Sequence, residues 1–249
     1  MEYEFLAEFY DDLVNVNYED IYNFYEVIWD RHGLRPQIVL DLGCGTGNLL
    51  PFLEQKYEVI GVDISEEMLG LAREKAAPET LLLQQDMCEL DLYGTVDAVV
   101  CSLDCINALA DAQEVAEALS RINIFLSAGG LLIFDINSPY KFQKILDGST
   151  YVYDTDEVYC VWQSDMLKEE ACCLFTLDFF VPDGTGRFLR RREEQVQQIY
   201  DVTQMSAIVE RSGLELIAVY GDLATQPPEP EEERIYFVAR KGKDAPNQG

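Results

Sequence analysis

The segment Val39-Leu40-Asp41-Leu42-Gly43-Cys44-Gly45-Thr46-Gly47-Asn48 constrains this chain more than any other. A buried-type apolar run ends in three glycines spaced two apart, and residues of helical spacing follow, with Leu49, Phe52 and Leu53 on one face. Glycine takes left-handed backbone at little steric cost and puts no Cβ between chain and ligand. This is the turn a strand makes when its end must approach a bound molecule closely. A dinucleotide fingerprint places its third glycine three residues after the second, and that position is Asn48 here, so pyrophosphate docking is less well supported.

Around this loop, strand-type runs alternate with helical ones. Ile38 to Leu42, Val59 to Asp63, Leu81 to Gln85, Val96 to Ser102 and Leu131 to Ile136 read as five short strands. Ser65 caps a helix with Glu66 and Glu67 in its first turn, where carboxylates suit the dipole, and this helix ends before Pro78. A longer one spans Ala112 to Leu126, with Gly129-Gly130 as its stop signal. Apolar strands separated by helices imply parallel βαβ units with both sheet faces covered, hence an α/β, doubly wound, mostly parallel sheet.

From about Thr150 to Val196 the pattern changes. Tyr151 to Tyr153, Val158 to Trp162, Leu174 to Val181 and Phe188 to Gln195 are β-rich, and Pro182-Asp183-Gly184 is a turn signal. An antiparallel β insertion is expected there. Helical period returns from Val202 to Arg211, and strands at Leu214–Tyr220 and Arg234–Arg240 flank a solvated, mobile loop over Gln226–Glu233. Ahead of the first strand, Glu4 to Trp29 is rich in aromatics, Tyr3, Phe9, Tyr10, Tyr18, Tyr22 and Tyr25 among them. A helical core stripe and a lid over a site both account for these.

With 46 Asp and Glu against 18 Lys and Arg, the net charge of −28 repels phosphate backbones and anionic membrane surfaces, so neither nucleic acid nor membrane is an expected partner. One His leaves little material for a zinc site or a His-based triad, and no metal is expected. The seven Cys form no CxxC pair and several lie in apolar runs, as reduced buried thiols do. No stretch approaches the length of a membrane span and the first residues lack secretory features, so a cytoplasmic protein is expected.

Two further acids complete a pattern. Asp63 ends the second strand, 16 residues beyond Gly47, where a carboxylate can accept from both hydroxyls of a ribose. Gln85-Asp86-Met87 follows the third, where a carboxylate can accept from an exocyclic amine and an apolar neighbour can flank a purine. The D-x-G-x-G-x-G loop with these two acids resembles the class I S-adenosylmethionine-dependent methyltransferases over nearly the whole chain. The resemblance implies a Rossmann-like, seven-stranded sheet whose last two strands form a reversed hairpin, and S-adenosylmethionine as cofactor. It implies a single domain over 1–249: an N-terminal helical lid (1–35), a cofactor-binding core (36–149), the insertion on the substrate side (150–200) and a C-terminal helix and hairpin (201–249). Carried over by motif, Asp41 with the backbone of Gly43, Cys44, Gly45 and Gly47 holds the methionine moiety. Asp63, with Ile64 beside it, holds the ribose, Asp86 and Met87 take the adenine, and Cys101 or Ser102 line the cofactor. A more local resemblance is to small uncharacterised bacterial methyltransferases that share Tyr10-Asp11, Leu103-Asp104-Cys105-Ile106-Asn107 and Phe134 to Asn137. In these, the tyrosine matching Tyr10 closes over the cofactor.

Ligands bind at strand carboxyl ends in such sheets. By that rule Asp104 and Asn107, after strand four, and Asn137 and Tyr140, after strand five, face the transferring methyl. Asp104 is the candidate for orienting or deprotonating an acceptor, and capping of the helix near Ile106 explains it as well. His32 reads as a helix-dipole partner rather than a base, and Arg190-Arg191-Arg192 as pairing with Glu193, Glu194 and neighbouring acids rather than clamping a substrate. Tyr151, Tyr153, Tyr159 and Trp162, with Tyr18 and Tyr22, serve equally as pocket wall or packing. The expected activity is methyl transfer to a nitrogen or oxygen of a small molecule, by a monomer or homodimer. The alternatives are a non-catalytic cofactor-binding module, an RNA or protein methyltransferase, and, weakened by Asn48, a nucleotide-sugar or NAD enzyme.

Overall fold

The computed structural model describes residues 4–242; Tyr3 and residues 243–249 of the expected C-terminal segment lie outside the described residues. Two helices open the chain, α1 (Glu4–Leu13) and α2 (Tyr18–Arg31), the second begun by Asn17, whose side chain accepts from the Glu19 N–H. Then β1 (Ile38–Leu42), α3 (Leu50–Leu53), β2 (Glu58–Asp63), α4 (Glu66–Lys75), β3 (Leu81–Gln84), β4 (Val96–Cys101), α5 (Ala112–Phe125) and β5 (Leu126–Asn137) follow. Four strands come next, β6 (Ser149–Asp154), β7 (Tyr159–Leu167), β8 (Cys172–Pro182) and β9 (Phe188–Gln198). The chain closes with α6 (Val202–Arg211), β10 (Glu215–Tyr220) and β11 (Arg234–Arg240).

Seven strands form one sheet in the order β10-β11-β5-β4-β1-β2-β3, with β5, β4, β1, β2 and β3 parallel and β11 antiparallel to both its neighbours. The strand order reverses between β1 and β4, which opens a crevice at their carboxyl ends. One face of the sheet packs on α5 and α6 through residues such as Val99, Phe134, Leu119 and Met205; the other packs on α2 through Ile28, Trp29, Val100 and Ile133. The second sheet, β6-β7-β8-β9, is antiparallel throughout.

Two local expectations are corrected. Gly129 and Gly130 do not stop α5: the helix passes directly into β5 at Leu126, and the glycines lie inside that strand. Gly129 has φ +81°, and a Cβ on Gly130 would lie 2.7 Å from the Asp97 carbonyl oxygen, so the pair marks a bulge where β4 approaches too closely for any other residue. The helical run after Gly47 shortens to the single turn of α3. The loop before β11 is anchored at its end, where the Ser138 N–H donates to the Glu233 carbonyl at 2.9 Å.

The two N-terminal helices pack on different layers. Tyr25, Ile28 and Trp29 of α2 are fully buried core. Leu6, Phe9 and Leu13 of α1 pack instead on the antiparallel sheet, against Phe175, Leu177 and Phe179.

Candidate active site

A cavity of about 870 Å³ occupies the crevice and runs beneath the antiparallel sheet. That volume falls within the range of small-molecule sites. Its floor is the glycine loop. The Gly43 and Cys44 N–H groups donate to the Val62 carbonyl at 2.7 and 3.0 Å, which ties the loop to β2. Gly43, Gly45 and Gly47 all have positive φ, but for different reasons. A Cβ on Gly43 would strike Cys105 Sγ at 2.6 Å and one on Gly47 would strike Ala72 at 2.8 Å, whereas one on Gly45 would project into open space. Gly47 thus lets α4 pack, and Gly45 leaves the cavity clear.

Three carboxylates surround this floor. Asp63 accepts the Gly45 N–H at 2.8 Å on Oδ2 and the Ser65 N–H at 2.9 Å on Oδ1, so the loop and the start of α4 share one anchor. Burial raises its pKa against the pull of those N–H groups. Asp41 is 2 % exposed, and its Oδ2 is buried with no partner among the described residues. Burial first, and then the Asp63 charge, push its pKa up to about 7. Asp86 caps the turn Met87–Glu89 by accepting the Cys88 N–H at 2.8 Å. Ile64, 57 % exposed, and Met87 add apolar wall. A buried carboxylate with an orphaned oxygen suits an incoming cation.

Beyond the loop, Ser102 lines the cavity and shares a 2.7 Å hydrogen bond with Tyr25 of α2. Leu103 and Asp104 follow, both with φ +59°, a conformation that non-glycine residues rarely adopt. Asp135 on β5 holds them there, accepting the Leu103 N–H at 2.8 Å and the Asp104 N–H at 2.9 Å. Arg234, at the start of β11, binds both carboxylates, Asp104 at 2.9 Å and Asp135 more closely. Asp104 Oδ2 accepts from Gln197 of β9. Asp104 therefore does not cap the turn Cys105–Ala108 with its side chain; its oxygens are engaged elsewhere. Asn107 is fully buried behind the wall, with Nδ2 donating to the Gln198 carbonyl at 2.8 Å and Oδ1 accepting the Asn137 N–H at 2.9 Å. Cys101 is likewise fully buried inside β4. Neither is among the cavity-lining residues, whereas Asp104, Cys105 and Asn137 are.

Tyr10 reaches the cavity from α1 and engages the hydroxyl of Tyr18, which lines it as well. Its neighbour Asp11 accepts from Thr46 Oγ1 and Asn48 Nδ2, each at 2.7 Å, and pairs with Lys75 of α4. At the other end of α1, Glu193 of β9 accepts the N–H groups of Phe5 at 3.0 Å and Leu6 at 2.9 Å. The antiparallel sheet contributes Tyr151, Tyr153, Trp162 and Phe175, and Lys141 stands nearby with Nζ bonded to Asn137 Oδ1 at 2.9 Å. Tyr159 points away, paired with Phe180, and Tyr22 packs on Phe52 in the core.

Arg190 and Arg192 bind a neighbouring acid, Asp178 on β8, each at 2.7 Å, and Arg191 lies over the Phe5 ring; none lines the cavity. His32 shares a 3.1 Å hydrogen bond with Tyr220. Burial and the charges of Arg240 and Arg31 lower its pKa, which disfavours the protonated form a dipole partner needs. Arg234, Asp135, Gln197 and Lys141 were not anticipated as site residues. Asp135 lay within the quoted Phe134–Asn137 run, but Arg234 follows three glutamates at the edge of a loop, where no local spacing marks it.

Known proteins resemble this chain in sequence and fold. Residues 39–130 match a family of methyltransferase domains. A protein of Geobacillus sp. (strain WCH70) named as a methyltransferase is 32 % identical over 247 residues, covering 97 % of this chain and 100 % of that one. The crystal structure of an S-adenosylmethionine-dependent methyltransferase from Clostridium acetobutylicum ATCC 824 superposes with a TM-score of 0.85 at 29 % identity, covering 96 % of this chain and 99 % of the other. The S-adenosylmethionine-bound CalS10 of Micromonospora echinaspora, an amino pentose methyltransferase, shares the fold with a TM-score of 0.73 at 22 % identity, covering 91 % of this chain and 92 % of that one. With its seven-stranded sheet, its glycine loop and the buried acids at the strand ends, the chain belongs to the class I S-adenosylmethionine-dependent methyltransferases, enzymes that use S-adenosylmethionine as methyl donor.

Proposed function

We propose that the chain transfers the methyl group of S-adenosylmethionine to a nitrogen or oxygen of a small molecule held under the antiparallel sheet. One observation carries this: a single cavity joins the glycine loop, Asp63 and Asp86 at one end to Trp162 and Phe175 at the other. The fold shared with an amino pentose methyltransferase supports a small acceptor, and the net charge of −28 disfavours a polyanion.

S-adenosylmethionine supplies an electrophilic methyl on a sulfonium. Of the chain's own residues, Asp41 receives the amino group on its orphaned oxygen, beside the backbone of Gly43 to Gly47. Asp63 uses the lone pairs left by Gly45 and Ser65 for the ribose hydroxyls. Asp86 and Met87 take the adenine, with Ile64 covering it and Tyr10 closing from α1. Asp104, its rotamer fixed by Arg234 and Gln197, orients the acceptor; Asn107 acts only through Asn137, whose backbone it holds. In-line displacement then needs alignment and exclusion of water more than a strong acid or base. Seven free thiols suit a reducing cytoplasm. Among the described residues no helix is long and apolar enough to cross a membrane.

Calorimetry with S-adenosylmethionine on wild type and Asp63→Ala tests the cofactor roles; loss of charge-assisted hydrogen bonds weakens binding by about 10- to 100-fold. Equal affinities would sink the ribose assignment. A screen of small amines and alcohols for S-adenosylhomocysteine release tests transfer, and a non-catalytic module would bind the cofactor yet release none with any acceptor.

A further inference from the structure

We propose that Gln195 recognises the acceptor, and that the acceptor is a ring-bearing molecule that offers an oxygen to the Gln195 amide; this rests on the small-molecule transfer reading above. Strand β9 alternates, and Glu193, Gln195 and Gln197 share its inward face. Glu193 is committed to the N–H groups of Phe5 and Leu6. Gln197 is committed at both ends of its amide, donating to Asp104 and accepting from Asn137 Nδ2 at 3.0 Å. Gln195 stands between them at the cavity wall, only 8 % exposed, and its Nε2 is buried with no partner among the described residues.

Buried amide donors are almost always satisfied, so an orphan lining a ligand cavity marks where a ligand atom belongs. The terminal torsion of a glutamine is broad, and a small rotation turns the amide toward the cavity. Its surroundings define what can approach. Phe175 is its direct cross-strand partner; the Phe175 ring meets Trp162 edge-on at 6.0 Å, and Trp162 meets Tyr153 at 6.4 Å. An aromatic wall with one amide donor on it takes a molecule with an apolar ring face and a hydrogen-bonding oxygen on the ring's edge.

The chain has two tryptophans, Trp162 at the cavity and Trp29 in the core, so quenching of Trp162 fluorescence reports occupancy directly, with Trp162→Phe as the blank. The full chain saturated with S-adenosylhomocysteine is titrated with cyclohexylamine and with each isomeric aminocyclohexanol, which differ only by the oxygen. At least one isomer binds about tenfold more tightly than cyclohexylamine, the value of one hydrogen bond. In Gln195→Leu this preference falls below about twofold while cyclohexylamine binds as before. Gln195→Met keeps the length of the side chain, removes the amide donor, and also loses the preference, so it carries the test if the leucine variant does not fold. Equal binding of the probes by wild type, no binding of any, or a preference that survives in both variants overturns the proposal. Calorimetry with S-adenosylhomocysteine on the same samples separates the two readings: failure to bind it removes the transfer site itself, whereas tight binding without discrimination removes only the role of Gln195.

Discussion

Asp135 accepts the backbone N–H of Asp104 at 2.9 Å, and Arg234 bridges the two carboxylates, so a pair of like charges is held together by one guanidinium. The arrangement secures a backbone that would otherwise relax, since Leu103 and Asp104 are both left-handed at φ +59°. Left-handed backbone costs a non-glycine residue roughly 1–2 kcal/mol. Burial raises the Asp135 pKa while Arg234 and the two N–H groups oppose that, and the Arg234 pKa is raised because two carboxylates outweigh its own burial. Asp135→Asn removes the buried charge and leaves Arg234 half paired, at a cost of about 3 kcal/mol in urea denaturation. Turnover falls with it, because Asp104 loses its fixed position. An unchanged denaturation midpoint would show that the clamp holds nothing.

The glycine loop predicts a separation of stability from binding. At Gly45 an added methyl meets only open cavity, so Gly45→Ala costs about 1 kcal/mol from its φ of +53° and interferes with cofactor binding. At Gly47 the methyl meets Ala72 at 2.8 Å and φ is +79°, so Gly47→Ala costs about 3 kcal/mol or more through displacement of α4. Parallel denaturation and calorimetry on the two variants check the contrast; equal stability losses would contradict it.

Asp41 gives the site a pH signature. Its folded pKa, pushed by burial up to about 7, lies above the ordinary 3.8, so the folded state holds the proton more tightly. The associated stability is full below pH 3.8 and is lost as pH rises through about 7. In cofactor-free protein, Asp41→Asn is therefore nearly neutral at pH 4 and stabilising at pH 8, by on the order of 2–3 kcal/mol. An ammonium ligand favours the ionised carboxylate, so cofactor affinity of wild type rises through the same window with release of a proton. Calorimetry in buffers of different ionisation enthalpy measures that proton, and its absence would exclude Asp41 from the amino group.

Asp11 couples the first helix to the loop. It lowers its own pKa, despite partial burial, through bonds from Lys75, Thr46 and Asn48. Asp11→Ala changes global stability by less than about 1 kcal/mol, since its ion pair is solvent-accessible. Its effect falls on the loop: amide hydrogen exchange over 43–48 accelerates and cofactor binding weakens several-fold. Unchanged exchange there would show that the loop holds its shape without α1.

The parallel sheet and the gathering of acids around the glycine loop were legible in sequence because their signals are local. Strand, glycines and terminal acid of the Asp41 and Asp63 segments lie within a few residues of one another. The acceptor end was not, because its contacts join distant segments: Arg234 meets Asp104 across 130 positions, and Gln197 meets it across 93. Gly129-Gly130 misled because a helix stop and a strand bulge ask the same conformational freedom of glycine. Asn107 had the right position after β4 but the wrong side of the wall.

Strand β9 binds the first helix, the acceptor wall and the Asp104 loop through Glu193, Gln195 and Gln197, three successive inward positions of one backbone. A one-residue insertion ahead of Glu193 would turn Arg192, Glu194 and Val196 inward and evict all three together. Under the acceptor reading proposed above, a new acceptor is reached by replacing side chains along β9 and not by lengthening or shortening its hydrogen-bonded run.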